Sequence, residues 1–197
     1  MSARLRRWPC RLLVPAPLVL LWPPLRHALE SRMALHMLLL FPLLLAAGWA
    51  AARCMRHEPA WLRRIDAQGL LGASGVSCVA AWWMIPAALD ASLVSAPLAA
   101  ARLASWWLAG ALLAGSWRRM GPEVAAFLLG NLAWMSATAG LLYQDAEQRL
   151  CVNYLVDDQL WAGRGLVGAA LALGALALWR VLRVPPPAPS GTPQPVR

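Results

Sequence analysis

The chain has 197 residues, of which 60% are hydrophobic and only 14% charged, with a formal net charge of +9. An ordinary soluble domain is about half apolar and about a quarter charged, so this composition excludes a typical soluble globule. The positive charge is all arginine and sits in a few loops, as topology determinants do, which removes the nucleic-acid reading that +9 would suggest in a soluble protein.

The apolar excess falls into six segments, most of them about twenty residues long, enough to cross a hydrocarbon core of about 30 Å. The first, Leu12 to Leu25, is short and broken by Pro15, Pro17, Pro23 and Pro24. An arginine-rich start and a short apolar run also describe a signal peptide, but no small-x-small cleavage site follows, and a retained, kinked helix is expected. The second runs from about Met33 to Ala52 around Pro42, and the third from Gly69 to Leu89. The fourth covers Leu98 to Trp117, the fifth Glu123 to Tyr143 and the sixth Leu160 to Leu182. Residues 184–197, VPPPAPSGTPQPVR, read as a disordered tail because so proline-rich and polar a stretch cannot build a core.

Arginine marks alternate gaps. Arg4, Arg6, Arg7 and Arg11 precede the first segment, Arg26 and Arg32 follow it, and Arg53, Arg56, Arg63 and Arg64 follow the second. Arg118 and Arg119 follow the fourth, and Arg180, Arg183 and Arg197 the sixth. The gap before the sixth segment is acidic instead, with Asp145, Glu147, Asp157 and Asp158 around Arg149. This alternation places both ends of a six-helix chain in the cytoplasm. With no strict GxxxG, helix packing is expected to rest on alanines and single glycines. Arg102 is expected to snorkel to the interface and Asn131 to bond between helices. The four cysteines, Cys10, Cys54, Cys78 and Cys151, have no metal-type spacing and are expected as free thiols, since only Cys151 would face an oxidising compartment.

On this topology one face of the second helix gathers Met33, His36 and Met37 near its outer end, spaced by three and four residues. Met84 and Asp90 at the outer end of the third helix, and Met135 in the fifth, share that half of the membrane. Thioethers with an imidazole form a soft set that suits Cu(I); the plain alternative is that Met fills gaps and His36 bonds across helices. A second polar group, Asp158, Gln159 and Arg164, opens the sixth helix, where Arg164 could pair with Asp158 or Asp90 or simply fix the helix end. No GxSxG, HExxH, P-loop or dinucleotide fingerprint is present, so no enzyme is expected.

Two motifs carry a family resemblance. Arg32-Met33-Ala34-Leu35-His36-Met37, followed by Pro42-Leu43-Leu44, resembles the HMxxHM…PLL segment of the CtaG family of the caa-oxidase type. Asp158-Gln159-Leu160-Trp161-Ala162-Gly163 is similar to the DQxxAG stretch of that family, and Trp82-Trp83-Met84-Ile85-Pro86 sits where the family carries a Trp/Pro element. Arg32 stands where the family's first His would be, and the chain is shorter by about a helix. The resemblance implies an inner-membrane assembly or accessory factor for a respiratory cytochrome c oxidase, handling Cu(I) on the periplasmic side, with oxidase subunits as partners.

The expected fold is all-α: a polytopic membrane bundle of six helices over residues 1–183, both ends cytoplasmic, then the tail. His36, Met33, Met37 and Met84 are the candidate copper ligands, and Asp90, Asp158, Gln159 and Arg164 a second polar site. The alternative function is a small transporter or channel for a metal ion or small solute, but nearly all the charge lies near helix ends rather than along a path at mid-membrane.

Overall fold

The computed structural model describes residues 19, 20, 22–55, 60–146, 150, 151 and 153–183. Most of the first apolar segment and the tail therefore lie outside the described residues. Within them the chain is all helical: α1 (Pro23–Glu30), α2 (Met33–Leu35), a π-helical turn (His36–Leu40), α3 (Phe41–Met55), α4 (Ala60–Ile65), α5 (Leu70–Trp83), α6 (Pro86–Val94), α7 (Ala96–Ser116), α8 (Pro122–Asp145) and α9 (Val156–Leu182). Pro23, Pro86, Pro97 and Pro122 each stand in the first turn of a helix, where a missing N–H leaves nothing unsatisfied.

Four helices are long and apolar enough to span a membrane: Met33–Cys54, Ala96–Ser116, Pro122–Asp145 and Val156–Leu182. The shortest, at 21 residues, rises about 30 Å. The third apolar segment, expected as one helix over Gly69 to Leu89, is broken. α5 and α6 meet at 77° across Met84 and Ile85, so together they make at most one bent span. Pro86 is the cause: it has no N–H to continue the ladder and drives Ile85 to an extended conformation, φ −72° and ψ 122°. The six crossings expected from the sequence thus become four, or five with the bent pair, among the described residues.

Pro42 acts differently. It sits inside a helix that continues past it, and the turn just before it, His36–Leu40, widens to a π-helix. Proline removes the hydrogen bond to the carbonyl four residues back and clashes with it, and a local π-turn relieves both. The widened turn keeps Met33, His36, Met37, Leu40 and Phe41 buried together, while Leu35, Leu39 and Leu43 face outward.

Bundle contacts run backbone to backbone at paired glycines. A Cβ on Gly48 of α3 would strike the Trp107 carbonyl of α7, and one on Gly110 of α7 would strike the Leu45 carbonyl of α3. Gly140 of α8 and Gly163 of α9 repeat the device, each Cβ meeting the other's carbonyl oxygen at 2.7 Å. Small residues therefore set helix spacing without a GxxxG motif, as expected from the sequence.

Two core clusters result. One, with Met33, Met37, Phe41, Trp83, Leu89, Trp106, Tyr143, Cys151 and Tyr154, lies at the end where α6 and the α8–α9 loop close the bundle. The other, around Val76, Ala109, Leu113 and Leu128, lies toward the opposite end, which carries Arg53, Arg118, Arg119, Arg180 and Arg183. There Asp66 is buried between α4 and α5, accepting hydrogen bonds from the Leu71 amide (2.9 Å), Ser116 Oγ and Arg119 (2.7 Å). Burial raises its carboxyl pKa, but those donors and the Arg119 charge outweigh it and hold the group below the usual carboxylate range. Cys78 and Cys151 are free thiols, whereas Cys54 is disulfide-bonded, correcting the expectation of four free cysteines.

Candidate functional site

The first core cluster encloses a polar site that starts at His36. Held by the π-turn, the imidazole is fully buried and points into the bundle, not at lipid. Its Nδ1 lies 2.7 Å from the Tyr154 hydroxyl, across 118 residues, on the loop that leads into α9. Phe41 meets the ring edge-on at 5.2 Å and itself stacks on Trp106 at 4.8 Å. The second ring nitrogen, Nε2, is buried with no hydrogen-bond partner. Which nitrogen carries the proton follows from which way the Tyr154 bond runs. Burial chiefly pushes the Tyr154 phenol above its ordinary range; Arg102 opposes this, and Glu30, Cys151 and Asp90 add to it. Tyr154 therefore stays protonated, and its oxygen can still accept a hydrogen bond from Nδ1–H; that tautomer leaves the lone pair on Nε2.

Met33 and Met37 are buried in this same cluster, and Met84 and Met135 pack against it. Met135 is also engaged through its sulfur, 3.4 Å from the Asn131 amide, which reaches Ser77 Oγ on α5 at 3.1 Å. Asn131 thus bonds between helices, as expected. Among the described residues no three His, Cys, Asp or Glu side chains stand close enough to hold a metal ion. A metal here would rest on one imidazole and thioethers.

A buried charge lies beside the imidazole. Arg102, six residues into α7, does not snorkel: it is completely buried, gives one guanidinium nitrogen to Ser92 Oγ at 2.5 Å, and forms an ion pair with Glu30. Glu30 takes a second arginine, Arg26, at 2.9 Å. The bend at Pro86 is what brings Ser92 over Arg102, and α1 brings Glu30, so the guanidinium finds partners inside the bundle before it needs the interface. Arg102 Nε stays without a partner. Arg26 and Arg102 both act electrostatically on His36. Two cations against one carboxylate make its surroundings net positive.

The second polar group divides. Gln159 is buried, accepting from the Leu150 amide at 2.9 Å and donating to the Tyr143 carbonyl at 3.2 Å. It ties the α8–α9 loop to both helices. Tyr143 in turn donates to the Met84 carbonyl at 3.1 Å, anchoring the bend between α5 and α6. Asp90 accepts from the Asn153 side chain at 3.2 Å. Arg164 is on an exposed face of α9 with its guanidinium 5.2 Å over the Trp161 ring, not paired with Asp158 or Asp90, which corrects that expectation. The pitch of α9 turns Gln159 and Gly163 inward and Trp161 and Arg164 outward. Asp158 is half-buried near the start of the helix.

Sequence reasoning missed Glu30, Arg26, Ser92 and Tyr154. The Arg26–Glu30 spacing of four residues was a readable sign of a pair; the reach of Tyr154 to His36 was not, since it depends on the loop's path.

Comparisons with family models, with curated proteins and with solved structures each return no match. The fold and its apolar helices define the class, a multi-pass helical membrane protein.

Proposed function

We propose that the chain is an accessory factor for assembly of a respiratory cytochrome c oxidase, handling Cu(I) at His36. The observation that carries this reading is the buried imidazole whose Nδ1 is held by Tyr154 while Nε2 has no partner. Metal-binding histidines have this form: one nitrogen fixed by an outer partner, the other open. Met33 and Met37, buried in the same cluster, supply the soft thioethers that Cu(I) favours, with Met84 packed against that cluster. The net positive surroundings disfavour a hard dication here, and a monovalent ion on neutral ligands meets the least repulsion. Of the alternative, a small transporter or channel for a metal ion or small solute, that argument weighs only against passage of a divalent metal.

The test is copper retention. Purified protein loaded anaerobically with Cu(I) keeps about one ion per chain, and His36→Ala keeps none while its fold persists. Cells lacking the chain assemble oxidase poor in copper, restored by the wild type but not by His36→Ala. Equal copper in both proteins, or normal oxidase without the chain, would refute the reading.

With it goes an orientation: six crossings in the inner membrane of a bacterium, both ends cytoplasmic, the His36 site toward the periplasm. The arginines at the opposite end support it. Reporter fusions after Arg64, Arg119 and Arg183 read cytoplasmic, and a fusion near Asp90 periplasmic. The Cys54 disulfide at that same end counts against this orientation, because bridges persist in oxidising compartments, and the fusions decide between the two. A periplasmic signal at Arg64 would reverse the assignment.

A further inference from the structure

The arginine-rich end of the bundle holds a second built feature, independent of the His36 site. Trp49 of α3 and Trp117, at the end of α7, meet edge to face with centroids 5.7 Å apart. They close the second core cluster, against which both pack. Arg180, in the last turn of α9, lays its guanidinium 4.9 Å over the Trp117 ring, and Arg53, one turn beyond Trp49, stands 5.9 Å from the Trp49 centroid. Two cations therefore flank one aromatic pair where three helices end. Neither meets a carboxylate among the described residues, and Arg180 Nε is buried with no hydrogen-bond partner.

A ring face satisfies only the plane of a guanidinium. Its N–H edges remain free and match the oxygens of a phosphate. Tryptophans at helix ends fix the depth at headgroup level. Next to Arg180, α9 exposes Leu178, Val181 and Leu182, an apolar flank that a free ion would not use but an acyl chain would. We propose that the Arg53–Trp49–Trp117–Arg180 cluster is a binding site for the phosphate headgroup of an anionic phospholipid. Basic pockets between transmembrane helices act in this way through charge and headgroup geometry together.

The experiment titrates the purified full chain, in detergent, with phosphatidylglycerol or phosphatidylcholine of identical acyl chains, and reads bound lipid by native mass spectrometry. Phosphatidylglycerol binds in preference, and the preference shrinks as salt is raised. The double substitution Arg53→Gln with Arg180→Gln weakens phosphatidylglycerol about twentyfold, about fivefold for each cation. Arg53→Lys with Arg180→Lys keeps the charge but loses the stacked fork, so its binding falls between the wild type and the glutamine variant, and Arg164→Gln, which removes the exposed cation over Trp161, keeps all of it. If the double glutamine protein is too unstable to purify, Arg180→Gln alone shows the fivefold loss. Equal binding of the two lipids, unchanged binding in the glutamine variants, an equal loss in Arg164→Gln, or displacement of the lipid by millimolar inorganic phosphate would each overturn the proposal.

Discussion

The His36 imidazole and the Tyr154 hydroxyl, 118 residues apart, meet at 2.7 Å inside the bundle. This one bond joins the π-turn before Pro42 to the loop that closes the α8–α9 pair, and it leaves Nε2 as the open nitrogen.

Tyr154→Phe removes the bond without changing the ring that packs in the cluster. Its expected cost to stability is about 1 kcal/mol, the net worth of one buried hydrogen bond. If His36 is a metal ligand, the same change lowers Cu(I) affinity about 10- to 100-fold, the usual effect of losing an outer partner. A competition titration against a Cu(I) chelator measures it, and unchanged affinity would separate Tyr154 from metal binding.

Arg102 and Glu30 form a buried ion pair, and breaking it from one side strands a charge. Arg102→Leu alone is expected to cost about 3–5 kcal/mol by thermal unfolding in detergent. Adding Glu30→Gln recovers much of that, because no uncompensated carboxylate is left. Arg164→Leu, on the exposed face of α9, changes stability by less than about 0.5 kcal/mol. A large loss from Arg164→Leu would instead argue for pairing inside the bundle.

The glycine pairs make a comparison of three positions. Gly140→Val and Gly110→Val push side chains into carbonyl oxygens of the facing helix and destabilise by about 1–3 kcal/mol or more. At Gly168, whose added Cβ meets nothing within 4 Å, the same change is nearly silent. Thermal unfolding of the three variants should rank them in that order, and a costly Gly168→Val would show that its face is covered by a partner.

Asp66 gives the bundle an acid limit. Its carboxyl pKa is held below the usual range in the folded chain, so the stabilisation is fully present above the unfolded value and fades as pH falls through the lower, folded value. Unfolding temperature is expected to drop below about pH 4. Asp66→Asn lowers stability at neutral pH by about 1–3 kcal/mol, since the Arg119 and Leu71 donors lose a charged acceptor, and flattens the acid branch. An unchanged acid branch in Asp66→Asn would assign it to another group.

The membrane class was legible because apolar runs of about twenty residues are a strong signal. Four spans appear nearly where the sequence puts them. The third segment was misread because hydropathy is blind to a bend: Ala80 to Leu89 is apolar throughout, and only Pro86 marks the break. The methionine and histidine face was readable from spacing alone. What surrounds it was not. Arg102 looks like a residue that reaches for the interface until Glu30 and Ser92, 72 and 10 residues away, are seen beside it. For Arg164 the pairing with Asp158 or Asp90 that the sequence allows does not form, because the helix pitch turns it outward over Trp161.

The most direct measurement of the central claim is X-ray absorption at the copper edge on the purified, Cu(I)-loaded chain. The account predicts a mixed shell, one nitrogen at about 2.0 Å and two or three sulfurs at about 2.3 Å. It also predicts that the nitrogen is lost in His36→Ala and a sulfur in Met33→Leu, a nearly isosteric change that leaves the fold in place. A shell of oxygen and nitrogen only, or a spectrum that His36→Ala does not alter, would contradict it.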